Sequence, residues 1–191
     1  MSRLPAFQTE RLSLRPRSVS DLEACLAMDR DPEVNRFLEL LWQDPATHRA
    51  FVLQRMNAAY PAGMGYWSVL EAGSFIGWIL LIPLDLHGPE IEIGWRLVRA
   101  AWGRGYATEA ARPVLDHGLG TIGLQQVIAE IDPRNASSRG VASKLGMRLV
   151  GPVRGGALLR HAIEQRPRFT PSDDSAPSHP APGMAGTLPR N

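Results

Sequence analysis

The period of apolar and polar residues changes several times along the chain, and each change marks an element. Arg11-Leu12-Ser13-Leu14-Arg15 alternates with a period of two, the pattern of a half-buried strand, and Pro16 ends it. Residues 1–8 read as a loose lead-in. Leu22, Cys25, Leu26 and Met28 fall on one face of a helix; Ser18 or Ser20 caps it, and Glu23 completes a capping-box pattern with Ser20. Asp31-Pro32 starts a short helix with Val34, Phe37 and Leu38 inward. Asp44-Pro45 starts a longer one with proline at its first position and Phe51, Val52, Arg55, Met56 and Ala59 at helical spacing. From Tyr66 the period shortens again. Tyr66 to Leu70 and Phe75 to Leu81 are β-rich runs joined by Glu71-Ala72-Gly73-Ser74, a hairpin signal, and residues 85–89 form a turn.

The stretch from Glu90 to Leu119 carries the strongest sequence of signals. Ile91, Ile93, Trp95 and Leu97 occupy one face of a strand, and Glu90, Glu92, Gly94 and Arg96 the other. The polar face is either a solvated edge, which the sequence alone favours, or the lining of a cleft. Gly103-Arg104-Gly105 makes a tight turn, and a helix follows from about Thr108 to His117. Its inner stripe is Ala107, Ala111, Val114 and Leu115; Pro113 should kink it, and Gly118 and Gly120 should stop it. Gln126 to Ile131 is a buried strand. Ala136 to Leu145 is a helix ended by Gly146, and Arg148 to Val153 and Leu158 to Ile163 are strands. The hairpin in the middle excludes an all-parallel doubly wound sheet. The expected class is therefore α+β, with a mixed, mostly antiparallel central sheet flanked by helices. Residues 8–166 form the expected domain. Residues 167–191, rich in proline and serine, read as a disordered tail.

Composition narrows the function. With 191 residues and a formal net charge of +2, the chain has one ordinary domain's worth of core and no basic stripe, so nucleic acid is not an expected partner. The single cysteine, Cys25, cannot form an internal disulfide and lies in an apolar pattern, which reads as packing in a reducing compartment. No apolar signal-peptide core stands at the N-terminus, and the longest apolar run is too short to span a bilayer. A cytoplasmic protein without membrane or metal partners, monomeric or homodimeric, is the expectation.

A strand, a glycine turn and a helix in that order present backbone N–H groups at a helix N-terminus, where an anion such as a pyrophosphate binds well. The same turn can be plain connection chemistry. A dinucleotide fingerprint requires a third glycine, but Thr108 stands in its place, and no acid closes the next strand at the required spacing.

Four segments, in this order and spacing, resemble one family. They are Thr9-Glu10-Arg11-Leu12-Ser13-Leu14-Arg15, Glu92-Ile93-Gly94-Trp95, Trp102-Gly103-Arg104-Gly105-Tyr106-Ala107-Thr108-Glu109-Ala110, and Asn135-Ala136-Ser137-Ser138 through Lys144-Leu145-Gly146-Met147. The resemblance is to the GNAT superfamily of acetyl-CoA-dependent N-acetyltransferases, in particular the branch that includes the ribosomal-protein N-terminal acetyltransferases, and it covers about residues 8 to 163. The family's turn motif, [QR]-x-x-G-x-[GA], aligns with Trp102 to Ala107 and departs from it only at Trp102. The resemblance implies that backbone N–H groups of Gly103, Arg104, Gly105, Tyr106, Ala107 and Thr108 hold the pyrophosphate of acetyl-CoA. It implies that Leu97, Val98 and Arg99 pair with the pantetheine arm, that this strand splays from its parallel neighbour at Gln126–Ile131 to leave the acyl-CoA cleft, and that Asn135 reaches the arm. Asn135 can equally cap the following helix.

The implied reaction transfers an acetyl group to a primary amine of a protein N-terminus or a small molecule, by direct attack in a ternary complex. Glu92 is the candidate base, with Glu90 second; the N–H near Val98 is the candidate oxyanion donor, and Ser138 or a water the proton donor. Many family members place a tyrosine where this sequence has Ala142. Its loss, with Pro113, motivates an alternative: a non-catalytic acyl-CoA-binding regulatory domain on the same fold. Trp42, Tyr60 and Trp67 either line the acceptor side or pack in the core.

Overall fold

A computed structural model describes residues 4–37 and 44–165. Its centre is an eight-stranded sheet in the order β1-β2-β3-β4-β5-β6-β8-β7. The strands are β1 (Phe7–Gln8), β2 (Leu12–Pro16), β3 (Gly65–Glu71), β4 (Ser74–Pro83), β5 (Ile91–Leu97), β6 (Gln126–Ile131), β7 (Arg148–Val153) and β8 (Leu158–Glu164). Every neighbouring pair is antiparallel except β5 and β6, which run parallel. The mixed, mostly antiparallel sheet expected from the sequence is therefore present. The lead-in is more ordered than expected: Phe7 pairs with Leu14 and forms the edge strand.

Among the described residues, five α-helices cover the two faces: α1 (Leu22–Asp29), α2 (Pro32–Asn35), α3 (Pro45–Asn57), α4 (Tyr106–Asp116) and α5 (Ala136–Lys144). One face of the sheet packs Ile79, Leu81, Ile93, Leu97, Val127 and Ala129 against Ala110, Ala111, Val114 and Leu115 of α4 and Ala142 and Leu145 of α5. On the other face, Trp78, Leu80 and Ile82 meet Leu22, Cys25, Leu26 and Met28 of α1 and Val52 of α3. Consecutive β4 residues thus enter different cores, which is why β4 reads as one continuous apolar run.

Three local expectations change. The capping interaction runs from Ser18 to Asp21, whose carboxylate accepts the Ser18 N–H at 3.0 Å; Glu23 instead binds Arg49 at 2.6 Å. α4 starts two residues early and runs through Pro113. It passes into a π-helical turn, His117–Ile122, and ends at Gly123, whose φ is 81°. Gly118 is not a stop. A Cβ there would lie 3.0 Å from Leu81 Cδ2, so the missing side chain lets the helix approach β4. The polar face of β5 is not a solvated edge, because β5 is a central strand and Arg96 binds the buried Asp29 at 2.7 Å. The expected helical role of Leu38, the Trp42 side chain and the tail from residue 167 lie outside the described residues.

Candidate active site

The site is built where β5 and β6 part. The one registered pair between them is Glu92 with Ile128, so the strands separate toward their C-terminal ends. Both ends lead into helix N-termini. β5 passes through a short turn at Arg99–Ala101 and the glycine turn into α4, and β6 passes through Asp132-Pro133-Arg134 into α5. α4 and α5 pack side by side, with Arg112 donating to the carbonyls of Lys144 and Leu145. Two positive helix ends therefore open on the mouth of one cleft, at the carboxyl ends of a parallel pair.

The glycine turn has the geometry of an anion cradle. Gly103 and Gly105 have φ of 72° and 81°, values that a side chain resists. No heavy atom lies within 4 Å of where a Gly103 Cβ would be, and only Arg11 Nη2, at 3.6 Å, stands near that of Gly105. The first helical bond of α4 runs from Glu109 N–H to Gly105 carbonyl, so the N–H groups of Tyr106, Ala107 and Thr108 have no partner within the helix. Such a turn fits a pyrophosphate, the group that acetyl-CoA would bring.

The turn is braced from beneath. Arg104 makes a two-point contact with Glu71 at 2.8 and 3.1 Å, and the Tyr106 hydroxyl donates to the same carboxylate. The guanidinium groups of Arg104 and Arg11 each lie 4.5 Å from the centre of the Tyr106 ring. Arg104 is thus an ion-paired brace with half its surface exposed, rather than a solvated arginine. Glu109 accepts from Thr9 Oγ1 at 2.6 Å, from the Arg11 N–H at 2.9 Å and from Arg11 Nε at 2.7 Å. Burial alone would raise the Glu109 carboxyl, but these hydrogen bonds prevail and hold it below the usual carboxylate range. This contact joins two of the segments that carry the family resemblance, Thr9–Arg15 and Trp102–Ala110, a link that no local pattern displays.

The backbone of β5 divides by direction. Val98 N–H donates to Ile76 carbonyl at 2.9 Å. It is therefore committed to β4, against its expected role as oxyanion donor. By the alternation of an antiparallel ladder, the backbone groups of Ile93, Trp95 and Leu97 point toward the cleft. The Leu97 carbonyl accepts the indole N–H of Trp102 at 2.9 Å. Val98 and Arg99 lie at the strand end, where Arg99 is exposed.

Across the cleft, Asn135 caps α5 by accepting the Ser138 N–H at 3.0 Å. The cap uses only the amide oxygen and leaves the NH2 outside it. Ser138 is half-buried one turn into the helix. Ala142 is fully buried in the core, so that position supplies no protic group.

Glu92 projects from the opposite sheet face, the one covered by α1 and α3. Burial, then the like charge of Glu130, push its carboxyl up to about 7 against the opposing effect of the Glu130 backbone N–H. Glu90 is held by Arg160, which removes it as a free base. On the same face Arg17 lies 3.7 Å from the Tyr66 ring centre, and its Nε and Nη2 are buried with no hydrogen-bond partner. Cys25 is buried, which drives its thiol up to about 11 and keeps it neutral. Trp67 is a core residue, and Tyr60 is half-buried with its hydroxyl donating to Arg55 carbonyl. Among the described residues no group of three or more His, Cys, Asp or Glu is placed to hold a metal ion, and no helix is long and apolar enough to cross a membrane.

Comparison with known proteins places this geometry. The family model for the Acetyltransferase (GNAT) domain matches residues 11–148. A fungal protein named FsC-acetyl coenzyme A-N(2)-transacetylase, from Aspergillus fumigatus, is 30% identical over 153 residues; the match covers 75% of this chain and 65% of that protein, so the chain spans less than two thirds of its length. The crystal structure of an acetyltransferase from Agrobacterium tumefaciens superposes with a TM-score of 0.69 and 28% identity, covering 86% of this chain and 97% of that one. A ribosomal-protein-S5-alanine acetyltransferase from Vibrio fischeri shares the fold, with a TM-score of 0.60 at 19% identity over 91% of this chain and all of that one.

Proposed function

This chain belongs to the GNAT acetyltransferase family and is an acyltransferase, and on that premise we propose that it acetylates a primary amine of a protein N-terminus or small molecule by direct attack in a ternary complex. The observation that carries the reading is the parting of β5 and β6 after Glu92, with a glycine turn at one side of the mouth and the capped end of α5 at the other. When bound, acetyl-CoA supplies the thioester; the residues of the chain do the rest. The N–H groups of Tyr106, Ala107 and Thr108 hold the pyrophosphate. The cleft-facing backbone of Trp95 and Leu97 pairs with the pantetheine arm and donates to the carbonyl oxygen as charge develops on it.

The acceptor approaches from the face of α1 and α3, where Glu92 stands. A carboxyl near 7 takes a proton from an ammonium or attacking amine at neutral pH, directly or through water. The amine nitrogen bonds to the carbonyl carbon, the carbon–sulfur bond breaks, and Ser138 or a water returns a proton to the leaving thiolate. The buried, neutral Cys25 supports direct attack over a covalent acyl-enzyme.

Calorimetric titration with acetyl-CoA tests the binding half of this reading. Gly105→Glu places a side chain at φ 81° and a negative charge in the cradle. It should abolish binding, and an unchanged affinity would sink the assignment of the turn.

A further inference from the structure

The acceptor-side face holds a charge cluster that the proposed reaction leaves unused. The Glu130 side chain is 3% exposed. Its Oε1 accepts from Arg160 Nε at 3.2 Å and Nη2 at 2.6 Å, and its Oε2 from Arg154 Nε at 2.7 Å. Arg160 extends to Glu90, and Arg154 to both oxygens of Asp85 at 3.0 Å. The cluster therefore spans the β4–β5 connection, the start of β5, β6, the β7–β8 connection and β8. Three carboxylates share two guanidinium groups, which leaves one negative charge in excess.

The register puts this cluster beside Glu92. Glu92 pairs with Ile128, and Glu130 is the next residue of β6 on the same face, opposite Arg160. The strands have begun to part at Glu130, the next residue beyond the one registered pair on this face. Pairing the two arginines to Glu130 has a second effect: it fixes the Glu130 charge in place.

We infer that Glu130, clamped by Arg154 and Arg160 on the same sheet face two residues beyond the partner of Glu92, is a positioning residue for Glu92, its fixed charge keeping that carboxylate basic enough to take the proton of the arriving amine. The inference rests on the reading of Glu92 as the base. The charged and titratable groups that face Glu92 are Glu130 from β6, Asp85 from the β4–β5 connection, Arg154 from the β7–β8 connection and Tyr66 from β3. Glu130 and Asp85 favour the protonated form, whereas Arg154 favours the ionised one. Removing one or the other must therefore move Glu92 in opposite directions, which a merely structural role would not do.

The test is a carbon-13 NMR titration of the full chain labelled at glutamate carboxyls, with the Glu92 signal assigned by its loss in Glu92→Gln. The wild-type midpoint should lie at about 7. Glu130→Gln, which retains the backbone N–H, should lower it by about one pH unit or more. Arg154→Met should raise it, and Glu130→Asp, which keeps the charge, should stay near wild type. The acidic limb of kcat/KM for acetyl transfer should follow the same shifts. Either variant, folded by circular dichroism, decides the question, and an unmoved Glu92 midpoint overturns the inference. A Glu92→Gln enzyme with unchanged acetyl-transfer rates at every pH would instead remove the base reading, and with it the purpose assigned to Glu130.

Discussion

The indole N–H of Trp102 donates to the carbonyl of Leu97 at 2.9 Å and so ties the start of the glycine turn to the last residue of β5. The residue that departs from the family's turn motif thus has a role of its own. It fixes the turn relative to the strand along which the pantetheine arm would lie. Trp102→Ala should weaken acetyl-CoA binding by about two- to thirteenfold, the net value of one hydrogen bond of roughly 0.5–1.5 kcal/mol. Trp102→Gln keeps an N–H donor at this position and should lose less. Calorimetry on the two variants compares them directly.

Glu109 should matter to stability more than to chemistry. It receives three hydrogen bonds from Thr9 and Arg11, two of them from Arg11, across about one hundred residues of sequence. Glu109→Gln should cost about 1.5–3 kcal/mol, the usual value of hydrogen bonds to a charged group, and lower Tm by about 3–10 °C. Because the folded-state carboxyl is held below its ordinary value of 4.5, its contribution is present above that pH and fades as pH falls further. The gap in urea midpoint between wild type and Glu109→Gln should therefore narrow from pH 7 to pH 3.

Glu92 should show the opposite sign. Its folded-state value of about 7 lies above the ordinary 4.5, so the folded chain holds an extra proton between those limits. Stability from this group is fully present below pH 4.5 and lost as pH rises toward 7. Relative to wild type, Glu92→Gln should gain stability from pH 4.5 to 7 and then level off. Its acetyl-transfer rate should fall more than its affinity for acetyl-CoA. Urea midpoints at pH 4.5 and 8, with initial rates at both, provide the comparison; a constant stability gap would contradict the assignment.

The reach of the sequence depended on how local each determinant is. β4 was legible because a strand buried on both faces is apolar throughout, and α3 because Asp44 and Pro45 announce its start within two residues; the Asp44 carboxylate accepts the Thr47 N–H at 2.8 Å. The glycine turn was legible for the same reason, since its conformation needs glycine at 103 and 105. What escaped was non-local. The polar face of β5 looked solvated because its partners, Asp29 for Arg96 and Arg160 for Glu90, lie 67 and 70 residues away. Short β1 is stabilised by pairing with β2 and carries no pattern of its own in two residues. The direction of the Val98 N–H depends on the register of β4 and β5, which residue types alone do not fix.

The central claim is that this cleft transfers an acetyl group to an amine. Its most direct test is the rate of thiol release from acetyl-CoA across a panel of peptides with free N-termini and small primary amines, run beside Gly105→Glu. The account predicts thiol release that depends on one class of amine and vanishes in Gly105→Glu. Calorimetric binding of acetyl-CoA to the wild-type chain with no amine-dependent release across the panel would contradict it.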